Sequence, residues 1–184
     1  MQLPSNLQLT RLSGSQTPAH AAARQFCLET IKEHYGFDYN PDWHFDIDSL
    51  LRPEADNHYA EQNRGIFWVV TNEKAELLAT IGVRGLWFKP ALVEAFRERY
   101  PEPEKVGSLW RLYVRKDQRG QGLGTKLNRL VEEESLKLGY TNMYLHATSD
   151  AVATIAFWKS VGYESIGEWD QSTHFDKKLQ LVDT

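Results

Sequence analysis

A chain of 184 residues suits one domain, residues 1–184, large enough to bury a core, and its single Cys27 allows neither an internal disulfide nor a cysteine metal cluster. A formal net charge of −4 argues against a nucleic-acid partner, because binding a phosphate backbone draws on excess Lys and Arg. Nothing near the N-terminus reads as a signal peptide, and no apolar run approaches the roughly 18 residues of a membrane span, so the expected location is cytoplasmic, with no membrane partner.

Residues 7–12 alternate well enough to predict an opening strand. Thr17-Pro18 then reads as N-cap and first helical residue, and Ala19, Ala22, Ala23, Phe26, Cys27 and Ile31 form one apolar stripe ending near Gly36. Residues 36–63, rich in Asp, Pro, Asn and aromatics, predict a mixture of short helix and loop of the kind that often roofs a binding site. His44, Asp46, Asp48 and His58 in that stretch either line the acceptor site or, the better reading, are solvated loop residues, and the spacing of 44–48 matches no metal site. Residues 66–70 and 77–83, around a polar turn at 71–76, predict a hairpin. In the following insertion Pro90 opens a helix whose apolar residues are Leu92, Val93 and Phe96. A strand is expected at 109–114, a helix at 125–138 and a short buried strand at 142–147. Ser149 or Asp150 caps a helix that Gly162 ends. The tail at 168–179 either completes the sheet or offers a strand to a second copy, so a homodimer is open.

Between the strand at 109–114 and its helix lies Gln118-Arg119-Gly120-Gln121-Gly122-Leu123-Gly124. Glycines at alternate positions let the backbone approach a ligand closely, and the unpaired N–H groups of a new helix attract an anion. A Walker loop needs Gly-Lys-Ser/Thr where this chain has Gly124-Thr125-Lys126, and a Rossmann fingerprint needs G-x-G-x-x-G where this chain has G-x-G-x-G. The form Arg-x-x-Gly-x-Gly resembles the pyrophosphate-binding loop of the GNAT N-acetyltransferase superfamily, and residues 151–163, ending Phe157-Trp158-Lys159-Ser160-Val161-Gly162-Tyr163, resemble its second signature, A-I-x-F-Y-x-x-x-G-F. The resemblance covers roughly residues 66–178. It implies an α/β (α+β) fold with a mixed, mostly antiparallel sheet of about six to seven strands flanked by helices, and a splayed central strand pair.

The resemblance implies acetyl-CoA as co-substrate, no metal, and direct acetyl transfer to a primary amine of a small molecule or protein. The pantetheine arm would pair with backbone around Leu112, Tyr113 and Val114, and the pyrophosphate would meet the N–H groups of Arg119, Gly120, Gln121, Gly122, Leu123, Gly124 and Thr125. Ala151 aligns with a capping asparagine that contacts the coenzyme in many members. Trp158 aligns with their thiolate-protonating tyrosine, and Ser108 with the catalytic glutamate of several. These departures keep a second class open, a catalytically weak or inactive acyl-CoA-binding regulatory module. His146, at the end of a cleft strand, is either a base suited to neutral pH or a structural histidine. Tyr113 is either a phenol near the thioester or core, and Arg111 either binds an acceptor carboxylate or pairs with a glutamate across the sheet. The insertion at 86–105 either shapes the acceptor pocket or decorates the surface.

Overall fold

The computed structural model describes residues 3–14 and 17–180. The strands are β1 (Leu7–Arg11), β2 (Ile66–Asn72), β3 (Leu77–Gly85), β4 (Val106–Val114), β5 (Asn142–Thr148), β6 (Glu164–Trp169) and β7 (Ser172–Lys178), and they form one sheet of seven in the order β1-β2-β3-β4-β5-β7-β6. Every neighbouring pair is antiparallel except β4 and β5, whose parallel pairing requires the crossover that α4 (Leu123–Lys137) provides. The tail strand β7 lies between β5 and β6, so the tail completes the sheet.

Strand alternation divides the apolar residues between two faces. Ile66, Trp68, Val70, Ile81 and Val83 pack with Leu123, Leu127 and Val131 of α4 and Trp158 of α5 (Val152–Ser160). On the other face Phe67 and Val69 meet Ala23, Cys27 and Ile31 of α1 (Pro18–Tyr35) and Ile47 of α2 (Pro41–Asp48). The α1 boundaries follow from local chemistry. Pro18 supplies the fixed φ of a first turn, and Gly36 ends the helix at φ 74°, donating its N–H to the Lys32 carbonyl. The insertion carries α3 (Pro90–Ala95) and packs Leu86, Leu92 and Tyr100 on Val106 and Tyr144.

Two early expectations need correction. His44 and Asp46 are buried rather than solvated, because α2 turns them inward over β4. The cap of α5 is Ala151, with no side-chain capping bond, rather than Ser149 or Asp150.

Where the chain enters β2, Gly65 passes so close to Tyr59 that an added Cβ would lie 2.4 Å from its backbone Cα and carbonyl carbon. Backbone cannot yield as a flexible side chain does, so Gly65→Ala is expected to lower stability by about 1–3 kcal/mol in urea unfolding.

Candidate functional site

β4 and β5 run together for only three residue pairs, Val106, Gly107 and Ser108 opposite Asn142, Met143 and Tyr144. Beyond Ser108, β4 has no strand partner on that edge among the described residues, although it stays paired with β3 as far as Val114. The divergence coincides with a bulge. Arg111 sits at φ 54°, and the β3 register jumps from Thr80 opposite Tyr113 to Gly82 opposite Trp110. A bulged strand bends and twists, and here the bend carries β4 away from β5.

A cavity of about 600 Å³ lies along the diverging strand. Leu112, Tyr113 and Val114 line it from β4, Arg119, Gly120, Gly122, Leu123, Gly124 and Thr125 from the loop and helix start, and Trp158 from α5. Gln121 and Ala151 do not line it. Gln121 turns its amide back to the Asp117 carbonyl, and Thr154 and Phe157, about one and two turns further on, face the cavity in place of Ala151. Thr30, His34 and Tyr35 of α1 also line the cavity, a contribution missed in the sequence. They continue the face of Cys27 and Ile31 toward the C-terminal end of α1, and as polar and terminal residues beside an apolar stripe they gave no separate signal.

The loop is shaped for an anion. Gly120 and Gly122 have φ of 75° and 77°, and a Cβ on either would meet only open space. Among the described residues, no backbone carbonyl accepts from the N–H groups of residues 120–125, the first bond at this end being Lys126 N–H to the Gly122 carbonyl at 3.0 Å. Arg119 donates from Nε to the Val114 carbonyl at 2.8 Å, which pins the loop to the end of β4. The free N–H groups therefore stand beside the cavity at the positive end of α4.

Arg111 is committed to the protein. Its Nε and Nη2 donate to the two carboxylate oxygens of Asp46 at 2.9 and 2.5 Å, Nη2 also to the Trp43 carbonyl and Nη1 to the Tyr113 hydroxyl. Tyr59 donates its hydroxyl to the same carboxylate at 2.6 Å. Burial alone would raise the pKa of Asp46, but the Arg111 guanidinium overrides it and holds the carboxyl well below the usual range. Neither reading of Arg111 holds as stated: it pairs with an acid, but the acid is an aspartate from α2 rather than a glutamate across the sheet, because α2 lays Asp46 against β4. Ser108 is also engaged, its hydroxyl accepting from Trp110 Nε1 at 2.7 Å.

His146 lies opposite His174 of β7 and presents its ring to the edge of Trp110, with centroids 5.1 Å apart across the gap. Crowding by surrounding protein, and then the charges of His174, Lys89, Arg111 and Arg84, lower its pKa to about 4. Its own surface is open to solvent, so water screens part of this effect. The imidazole is neutral at pH 7. Burial, opposed by Arg111, pushes the Tyr113 phenol up to about 12. Trp158 is buried against Phe157 and Tyr163. Among the described residues, no cluster of three or more His, Cys, Asp or Glu side chains could hold a metal ion, and no helix is long and apolar enough to cross a membrane.

A model of the acetyltransferase (GNAT) family matches residues 28–163. Among solved structures, a GNAT-family acetyltransferase from Staphylococcus aureus Mu50 is similar at 16% identity and a TM-score of 0.72, covering 95% of this chain and 99% of its own. An acetyltransferase from Streptococcus agalactiae 2603 gives 16% identity and a TM-score of 0.69, over 95% and 99% of the two chains. The PaiA N-acetyltransferase of Thermoplasma acidophilum, in complex with coenzyme A, gives 15% identity and a TM-score of 0.68, over 94% and 98%. A search of curated protein sequences returns no match.

Proposed function

The chain belongs to the GNAT acetyltransferase family, and from that premise we propose that it moves an acetyl group from acetyl-CoA directly to a primary amine of a small molecule or protein in the cytoplasm. The observation that carries this reading is the conjunction of the splayed β4–β5 pair with the unpaired N–H groups of residues 120–125 beside one cavity. When bound, acetyl-CoA supplies an activated thioester, whose C–S bond breaks as the C–N bond to the amine forms.

The protein's part is to place the two partners and manage protons. The free edge of β4 from Leu112 to Val114 takes the pantetheine amides as a further strand would, and a backbone N–H near Val114 polarises the thioester carbonyl. The N–H groups of residues 120–125 receive the pyrophosphate, whereas that of Arg119, against expectation, is already given to the Lys116 carbonyl. Tyr113, protonated at neutral pH, lines the cavity and is the donor for the departing thiolate, the role that Trp158 cannot fill because indole is no such acid. His146, neutral and open to water, accepts the ammonium proton directly or through water. Arg111 is a positioning residue that holds the bulge.

His146→Ala is expected to lower kcat by roughly 100-fold while leaving the acetyl-CoA dissociation constant within about twofold. Because the folded-state pKa of His146 lies well below 6.5, the pH–rate profile should climb with deprotonation of the acceptor amine and show no inflection near 6.5. An inflection there that disappears in His146→Ala would keep His146 as the base but overturn its lowered pKa, whereas an unchanged kcat in His146→Ala would refute the assignment. The enzymatic reading itself is tested by time-dependent thiol release from acetyl-CoA across a broad amine panel. Binding without turnover would favour the regulatory module, which the occupied Ser108 hydroxyl and buried Trp158 support.

A further inference from the structure

Arg84, on β3 opposite Ser108, is fully buried, yet two of its three guanidinium nitrogens, Nε and Nη2, have no hydrogen-bond partner. Its Nη1 donates to His58 Nδ1 at 2.7 Å, which fixes that imidazole as neutral with its proton on Nε2. The side-chain ammonium of Lys89, half-buried at the start of the insertion helix, makes no salt bridge or hydrogen bond among the described residues. The two cations contact the same two aromatic rings, and Arg111 also lies 5.6 Å from the Trp110 centroid. Arg84 lies 5.2 Å from the Phe45 ring centroid and 4.3 Å from that of Trp110, and Lys89 lies 4.5 and 5.3 Å from them. Cation–π contact holds such groups in place but leaves their N–H donors unused. The one nearby carboxylate, Asp46, is already taken by Arg111 and Tyr59. Three cations thus share a single buried anion, an imbalance that a protein interior ordinarily avoids.

We propose that Arg84 and Lys89, over Trp110, form the subsite for an acidic group on the acceptor, so that the substrate is an amine that also carries an oxyanion, a carboxylate or a phosphate. The proposal rests on the acetyltransferase reading above. Its position fits the reaction, because the Trp110 ring that carries both cations meets His146 at its edge across the β4–β5 gap. An acid bound over Trp110 therefore leaves an amine a few bonds away within reach of the cleft. Lys89 is the group that an incoming acid meets first. Arg84, closed off from solvent, adds its charge and its two unused donors as the Lys89 side chain shifts. Filling the subsite also neutralises charges that now disfavour protonation of His146, which makes that imidazole a better base in the complex.

The test uses matched pairs of amines with and without the acid: the common amino acids against their decarboxylated amines, and phosphoethanolamine against ethanolamine. Each is titrated by calorimetry into the full-length protein saturated with coenzyme A, and assayed in parallel for thiol release from acetyl-CoA. At least one acid-bearing member should bind 10-fold or more tightly than its acid-free counterpart, the carboxylate and phosphate arms telling which oxyanion is preferred. Lys89→Met, which keeps the stem over Trp110, should reduce that preference at least 10-fold without changing the acetyl-CoA dissociation constant. Arg84→Gln, where circular dichroism shows it folded, should do the same. Preference for acid-free amines, no binding by any acid-bearing amine, or a preference that survives both substitutions overturns the subsite while leaving the acetyltransferase reading intact, provided acetyl-CoA still binds. A wild-type protein that binds no acetyl-CoA overturns both.

Discussion

Gly122→Trp is expected to weaken acetyl-CoA binding by a factor on the order of 100 or more, ~2.7 kcal/mol, in a protein that keeps its far-ultraviolet dichroism. Two effects combine. Gly122 holds φ 77°, a left-handed conformation costing a residue with a Cβ about 1–2 kcal/mol. The position is otherwise open space beside the unpaired N–H groups of the loop, so an indole there displaces the pyrophosphate rather than a piece of the core. The strain and the obstruction can be separated. Gly122→Ala adds one methyl group that meets nothing within 4 Å, so it carries the strain alone and should weaken binding by about 10-fold. Gly124 behaves differently, since its added Cβ would sit in ordinary contact with the Phe157 ring at 3.5 Å, and Gly124→Ala should be milder still. Calorimetric titration with acetyl-CoA, run beside NAD and ATP, decides the matter. Selective binding that survives Gly122→Trp would reduce the loop to a tight turn and withdraw the functional reading.

The contrast between what the sequence disclosed and what it hid follows the range of the interactions. The loop at 118–124 was legible because glycine spacing and a helix start are local chemistry, and the α1 boundaries at Pro18 and Gly36 were legible for the same reason. Arg111 stood out as a charge in an apolar strand, but its partner Asp46 lies 65 residues earlier, in a segment whose composition suggested solvated loop. Burial of that segment is decided by the fit of α2 over β4, which no local pattern encodes. The bulge at Arg111 was equally silent, because a left-handed arginine is held by tertiary bonds and leaves no glycine or asparagine as a mark. Arg84 escaped notice for a related reason. The apolar run that announced β3 ends at Val83, whereas the strand continues to Gly85 and carries the arginine under the insertion. The residues of the proposed acceptor subsite therefore come from five separated segments, α2, β3, the insertion, β4 and β5, while most of the cavity proposed for the coenzyme comes from the run 112–125, joined by parts of α1 and α5.

Asp46→Ala should lower stability by about 3–5 kcal/mol, the usual consequence of removing one partner from a buried ion pair. Arg111 would keep its charge in a site where its side chain is 10% exposed, with only the Trp43 carbonyl and the Tyr113 hydroxyl left to it. The pH dependence follows from the depressed pKa of Asp46. A carboxyl held below its unfolded value near 3.9 contributes stability that is fully present above that value and is lost as pH falls toward the folded one. Wild-type stability in urea should therefore decline as pH drops below about 4, and the part of that decline due to Asp46 should be absent from Asp46→Ala. Adding Arg111→Met to Asp46→Ala should restore part of the loss at pH 7, because the double variant buries no unpaired charge. The consequence for function is separable from that for folding. Asp46 and Arg111 hold the bulge that parts β4 from β5, so the double variant, although more stable than Asp46→Ala, should still bind acetyl-CoA more weakly than wild type. Wild-type affinity in the double variant would mean that β4 diverges from β5 without the ion pair, and that the buried charges serve the acceptor alone.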